Sequence, residues 1–269
     1  MSQPSYDGPS EIALWDPALT KRAMDILRPI IGRYFRPEVR GLGSIPDGGA
    51  LVVSNHSGGV LALDFPVFAV KFYERFGYGR PIHTLSHDTL FVGPLERILI
   101  GTGFIRANRA NALQALGAGA LVIVFPGGDY DAARPTGLQN VIDFAGRTGY
   151  IRTAIEAGVP IVPMVSIGAQ ESQLYLSRGM GLARLLRVDK LLRAKILPIS
   201  FGFPFGLSIV LPLNVPLPTK IVTQVLPPID ITGQFGDDPD IDEVDSHVRA
   251  TMQSSLDRLA RGRRLPVIG

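Results

Sequence analysis

Asn55-His56 and Asp64 stand on either side of a glycine pair, Gly58-Gly59. A neutral imidazole can take a proton from a hydroxyl near neutral pH, and a carboxylate can orient the ring, so these residue types point to general-base chemistry. Arg106 and Arg109 are types that grip a phosphate through paired guanidinium hydrogen bonds, Arg109 at a predicted helix start. Gly127 and Gly128 follow Pro126 and let backbone N–H groups approach an anion or a developing oxyanion, with Asp129 and Arg134 downstream as further substrate-binding candidates. Asp129 and Asp131 also form an Asp-x-Asp pair, of the kind that holds a divalent ion on sugar-nucleotide phosphates. His83 and His87 have no acidic or second histidine partner at metal-ligand spacing and read as structural or surface residues. No cysteine is present, which removes disulfides, thiolate catalysis and cysteine metal sites.

The elements that must carry these residues follow from periodicity. Leu51-Val52-Val53 is a short apolar run that predicts a buried strand and puts His56 at its carboxyl end, where open α/β sheets hold their ligands. The chain then reads helix (60–76), strand (82–86), helix (95–100), strand (104–107), helix (109–116), strand (120–125), helix (150–157) and strand (160–167), the last interrupted by Pro163. Such alternation predicts an α/β fold, with a mostly parallel central sheet flanked by helices. In that fold the loops at Asn55-His56, Pro126 to Asp131 and Pro163 to Ser166 converge on one sheet edge.

Asp16-Pro17 predicts the start of a basic amphipathic helix through Phe35, kinked at Pro29, whose apolar stripe suits either a core or a membrane surface. Val39 to Leu42 reads as an edge strand. Gly179 to Lys195 is a second basic amphipathic segment, and no charged residue stands between Lys195 and Lys220. Pro198, Pro204, Pro212, Pro216 and Pro218 exclude one continuous spanning helix there, so a folded, apolar, proline-rich wall is expected. A strand over Ile221 to Leu226, an acidic linker over Asp237 to Asp245 and a closing helix over Val244 to Leu259 complete the reading. The expected division is a tail with a membrane-facing helix (1–38), an α/β catalytic domain (39–235), and a linker with the C-terminal helix (236–269).

The 269 residues suffice for one sizeable domain, and 46% hydrophobic against 19% charged residues is apolar for a soluble chain. A mean hydropathy of +0.21 agrees. The net charge of +3 is too small to argue for nucleic acid, although a basic face can meet an anionic membrane. Met1 to Glu11 lacks the apolar core of a signal peptide. The protein is therefore expected at the cytoplasmic face of the cell membrane, as a peripheral protein.

Four blocks, in order, resemble those of the glycerolipid acyltransferase superfamily, which includes the lysophosphatidic acid acyltransferases. They are Asn55-His56 with Asp64, Gly103 to Arg109, Phe125-Pro126-Gly127-Gly128, and Val159 to Pro163. Two departures from the family pattern stand out. Seven residues separate His56 from Asp64 where the family usually has four, and Gly127 stands where a glutamate is common. This is the pattern of a divergent branch, near the monoacylglycerol-acyltransferase-like members. The resemblance implies direct transfer of a fatty acyl group from acyl-CoA or an acyl carrier protein thioester to a lysophospholipid such as lysophosphatidic acid, or to a neutral mono- or diglyceride. In that scheme His56 is the base, Asp64 orients it, and no covalent intermediate or cofactor beyond the acyl-CoA co-substrate is needed. No Gly-x-Ser-x-Gly elbow is present. A metal-dependent glycosyltransferase using Asp129 and Asp131 is the competing enzyme reading, and a non-catalytic lipid-binding protein the competing binding one.

Overall fold

The computed structural model describes residues 10–57, 59, 62–186, 196–263, 265, 267 and 268. Helix α1 (Pro17–Tyr34) starts at Asp16, whose carboxylate accepts from Ala18 and Leu19 N–H, and it takes Pro29 into a continuous helix. The chain continues through β1 (Glu38–Arg40), β2 (Ala50–Ser54), α2 (Asp64–Phe76), β3 (Ile82–Ser86), α3 (Gly93–Gly101), β4 (Phe104–Arg106), α4 (Arg109–Gly117) and β5 (Leu121–Val124). A short α5 (Gly128–Ala132), α6 (Gly149–Ala157) and β6 (Ile161–Ile167) follow. Next come β7 (Leu174–Ser177), α7 (Met180–Leu185), β8 (Ile199–Gly202) and β9 (Gly206–Ile209). The last elements are β10 (Val222–Val225), α8 (Ile231–Phe235) and α9 (Ile241–Gly262).

The main sheet has seven strands in the order β1-β10-β6-β2-β5-β3-β4. β6, β2, β5, β3 and β4 run parallel, while β10 joins β6 antiparallel and carries β1 beside it. The central strands β2 and β6 are buried along their whole length, as parallel strands covered on both faces must be. Leu51 and Val53 face a core closed by α4, α6 and α9; Ala50 and Val52 face a second core closed by α1 and α2. Three layers result, and β2 lies at their centre.

Several sequence expectations shift. The strand expected to break at Pro163 runs through it, and the proline's carbonyl still accepts from Leu226 N–H at 2.9 Å. The helix expected from residue 60 begins at Asp64; Val60 and Leu61 lie outside the described residues. The acidic stretch is the start of a helix: Asp240 caps α9 through the N–H groups of Asp242 and Glu243, and these acids sit at the positive end of the helix dipole. α9 lies over the sheet, with Val244, Val248, Met252 and Leu256 in the core, and β1 straddles the expected boundary at 38/39. α1 turns Met24 and Ile31 into the second core and leaves Ile26 and Ile30 outside. The proline-rich wall is a separate antiparallel sheet, β7-β8-β9. Of the second basic segment, α7 is described and residues 187–195 lie outside the described residues.

Truncating Leu256 to Ala should cost about 2–5 kcal/mol, because it removes a fully buried side chain between α9 and the sheet. Urea unfolding measures it; an unchanged midpoint would mean that α9 is not part of the core.

Candidate active site

Residue 56 is fixed through its neighbours. The buried side chain of Asn55 donates to Ser166 O (2.9 Å) and accepts from Ser166 N–H (2.8 Å). This bridge carries the β2–β6 pairing beyond Ser54 and Met164, the last paired residues. The chain must then leave the sheet at His56.

Two buried carboxylates meet it there. Asp64, the first residue of α2 and fully buried, accepts from Ser57 N–H through Oδ2 (2.9 Å) and from Phe65 N–H through Oδ1 (3.0 Å). Its Oδ2 lies 3.5 Å from His56 Nδ1, an ion-pair contact longer than a hydrogen bond. The seven-residue spacing thus still brings Asp64 within 3.5 Å of His56. Asp131, in the short α5 that follows β5, accepts from the His56 backbone N–H at 2.7 Å and is paired with Arg134 at 2.6 Å. Phe125 stacks on the imidazole, with ring centroids 4.4 Å apart. The His56 side chain remains 17% exposed, so the ring is reachable.

The surroundings tune the proton affinities. Burial lowers that of His56, but the carboxylates of Asp64 and, secondarily, Asp131 outweigh it, and its pKa is raised above the ordinary 6.5. Burial pushes Asp131 up to about 6 against the pull of Arg134 and the His56 N–H. His83, buried in β3, is shifted down by burial, and His87 caps the turn at Thr89 on the surface.

The glycines have steric reasons. A Cβ at Gly127 would collide with the Asp131 side chain, so the carboxylate arriving from Asp131 fills the space beside position 127. Gly128, at φ +50°, leaves room for Arg147, which donates to Gly127 O at 2.7 Å and to Asp129 Oδ1 at 3.0 Å. Gly128 N–H is used in the turn, donating to Phe125 O at 2.9 Å. A Cβ at Gly59 would collide with Tyr175 of β7, which is how the small sheet touches the histidine loop.

Of the residues expected to act together, the structure gathers His56, Asp64, Gly127 and Arg134. It does not bring Arg106 or Arg109 to them: β4 and the start of α4 are separated from β2 by β3 and β5. Arg106 is held by Glu11 and by Glu96 (2.7 Å), and Arg109 by Glu156 on the exposed face. The Asp-x-Asp pair also comes apart, since Asp131 is buried on His56 and Arg134 while Asp129 meets Arg147 at the surface. Among the described residues no three acids or histidines cluster as a metal site would require. The metal-dependent reading loses its ligand pair. Ser57, Arg147 and Tyr175 had no signal of their own, and Phe125 stood in the third block without a role; the spacing Asp131-x-x-Arg134, one turn, was the legible hint of a pair.

A family model described as Acyltransferase matches residues 36–167. An uncharacterised protein of Mycobacterium tuberculosis is 33% identical over 245 residues, which is 89% of this chain and 66% of that protein. A mouse protein described as a "DGAT1/2-independent enzyme synthesizing storage lipids" is 28% identical over 191 residues, 70% of this chain and 55% of its own length. This chain therefore spans no more than about two thirds of the length of these relatives. The crystal structure of the 1-acyl-sn-glycerophosphate (LPA) acyltransferase PlsC from Thermotoga maritima shares the fold, with a TM-score of 0.51, 17% identity, and coverage of 89% of this chain and 82% of that one.

NMR titration of the histidines checks the electrostatics. His56 should titrate above 6.5 and His83 below it, and Asp64→Asn should bring His56 down by removing the nearest anion. A His56 titration unmoved in Asp64→Asn would contradict the contact.

Proposed function

We propose, on the match of residues 36–167 to the Acyltransferase family model, that this chain is a member of the glycerolipid acyltransferase superfamily and transfers a fatty acyl group from a thioester to a glycerolipid hydroxyl, with His56 as general base. One observation carries the proposal: His56 stands at the carboxyl edge of the central strand, its side chain 17% exposed and its Nδ1 3.5 Å from a buried carboxylate. With Nδ1 turned to Asp64, Nε2 is the nitrogen that takes the acceptor's proton. The acceptor oxygen then bonds to the thioester carbonyl carbon. The tetrahedral oxyanion collapses, the C–S bond breaks, and the leaving thiolate takes the proton back from the imidazolium. Stabilisation of the oxyanion falls to the backbone N–H of Gly127, since Pro126 has none and that of Gly128 is used within the turn, and to the guanidinium groups around it, those of Arg134 and Arg147. The donor is acyl-CoA or an acyl carrier protein thioester.

On the motif pattern the acceptor is a lysophospholipid such as lysophosphatidic acid, whose phosphate would have to reach Arg106 and Arg109 across two strands. A second reading, a neutral glyceride, is favoured by a specific observation: both arginines are engaged by glutamates and stand two strands away. The reaction takes place at a membrane surface, at its cytoplasmic face. Among the described residues no helix is long and apolar enough to cross a bilayer.

The test is a panel of lysolipids and mono- and diglycerides incubated with palmitoyl-CoA and read by mass spectrometry. Acylated product and free CoA should appear in equal amounts for at least one acceptor, and Asp64→Asn should slow it by less than the roughly 10²–10⁴-fold expected for loss of a base. Activity on lysophosphatidic acid but not on monoglyceride would decide against the second reading. CoA release without acylated lipid would contradict the transfer.

A further inference from the structure

The small sheet is built inside out. Along β7, β8 and β9 the side chains alternate, as in any strand, but the polar row faces the protein and the apolar row faces outward. The register makes the rows explicit. Tyr175 pairs with Ser200 and Ser200 with Ser208, all buried; Leu174 pairs with Phe201 and Phe201 with Leu207, all exposed. The inner row is satisfied from within: Ser200 Oγ and Ser208 Oγ lie 3.1 Å apart, Asn214 donates to Ser208 Oγ, and Tyr175 donates to Gln173 Oε1 at 2.6 Å. On the outer row Leu207 is 62% exposed and Phe201 53%, and beside it Phe203 in the β8–β9 turn and Leu211 just after β9 are 75% and 69% exposed. A soluble domain rarely leaves so large a contiguous apolar surface uncovered.

Charge identifies what covers it. Between Glu171 and Asp230 the sequence carries seven lysines and arginines and one acid, Asp189, a net +6 in a chain whose total is +3. Arg184 of α7 is exposed next to Leu185 and Leu186, which are exposed too. An apolar face with no charge of its own, bracketed in sequence by cations, complements an anionic lipid surface, whose acyl region takes the side chains and whose phosphates meet the basic residues. α1 is anchored to the same region, since Tyr34 donates to Pro216 O at 2.6 Å.

We infer that the outer face of β7–β9, with the hairpin tip at Phe203–Phe205, is the surface by which this protein seats itself on an anionic bilayer. The inference rests on the acyltransferase reading for its purpose. The inner row of the same sheet ends at Tyr175 against Gly59, so seating the outer face on lipid holds the His56 loop one sheet's thickness from the bilayer.

The test separates docking from chemistry. In the triple variant Phe203→Ser/Leu207→Ser/Leu211→Ser, cosedimentation with phosphatidylglycerol-containing vesicles should weaken about tenfold or more. Turnover of acceptor embedded in those vesicles should fall with it, while turnover of a short-chain acceptor dissolved as monomer stays at the wild-type level. A second measurement needs no loss of apolar residues. Phe203→Trp in a Trp15→Phe background should shift its emission to the blue on adding vesicles and be quenched by brominated lipid. Vesicle binding unchanged by the triple variant, or an indole emission from the Phe203→Trp protein that is indifferent to lipid, would overturn the inference. Self-association in buffer that the triple variant abolishes, without vesicle binding by the wild type, would also overturn it and give the face to a second copy. Absence of turnover with every acceptor would defeat the acyl-transfer reading alone, since vesicle binding and indole emission report docking independently.

Discussion

The carboxylate of Asp64 has no contact with solvent, and a buried charge without partners costs several kcal/mol. Its compensation comes from Ser57 N–H, Phe65 N–H, the dipole of α2 and the nearby imidazole of His56. These partners sit on both ends of the intervening loop. Holding the charge therefore ties Ser57 to the start of α2, and that tie aims the histidine. Asp131 imposes the same condition from the other side, since its buried carboxylate is compensated by Arg134 and by the backbone N–H of His56 itself. Residue 56 is clamped between two anions, one on its ring and one on its backbone, and both raise the proton affinity of the imidazole.

The rest of the architecture supplies what this clamp needs. β2 is the strand with the most protein on all sides, and the Asn55–Ser166 bridge stops it from fraying where the histidine begins. Glycine is required where other side chains cross: Asp131 over Gly127, Arg147 over Gly128 and Tyr175 over Gly59. The last of these couples the loop to the inside-out sheet. A reactive ring, a rigid strand end and an apolar platform are thus one connected structure.

The central strands and the helices between them were legible because burial on both faces writes itself as continuous apolar runs such as Leu51 to Val53 and Leu121 to Val124. His56 and Asp64 were legible from residue type and from the strand end. The location of Arg106 and Arg109 was not, because spacing along the chain says nothing about how many strands lie between β4 and β2. Asp131 read as half of an Asp-x-Asp pair, whereas a helical turn sends neighbours at i and i+2 to different faces and pairs i with i+3 instead. The acidic run before α9 read as a linker, since the same residues serve as helix caps. The uncharged, proline-rich stretch was recognisable as a wall, but its inversion emerges only from the cross-strand register.

The claim on which the account turns is that His56 is the base, and replacing it with alanine tests that most directly. His56 sits in a loop at the sheet's edge with its ring partly exposed, so the truncation opens no core cavity. Turnover with the best acceptor from the lipid panel should fall by roughly 10²–10⁴-fold while the protein stays folded, its thermal midpoint lowered only by what Asp64 loses with the imidazole. A folded His56→Ala protein that turns over at the wild-type rate would contradict the account.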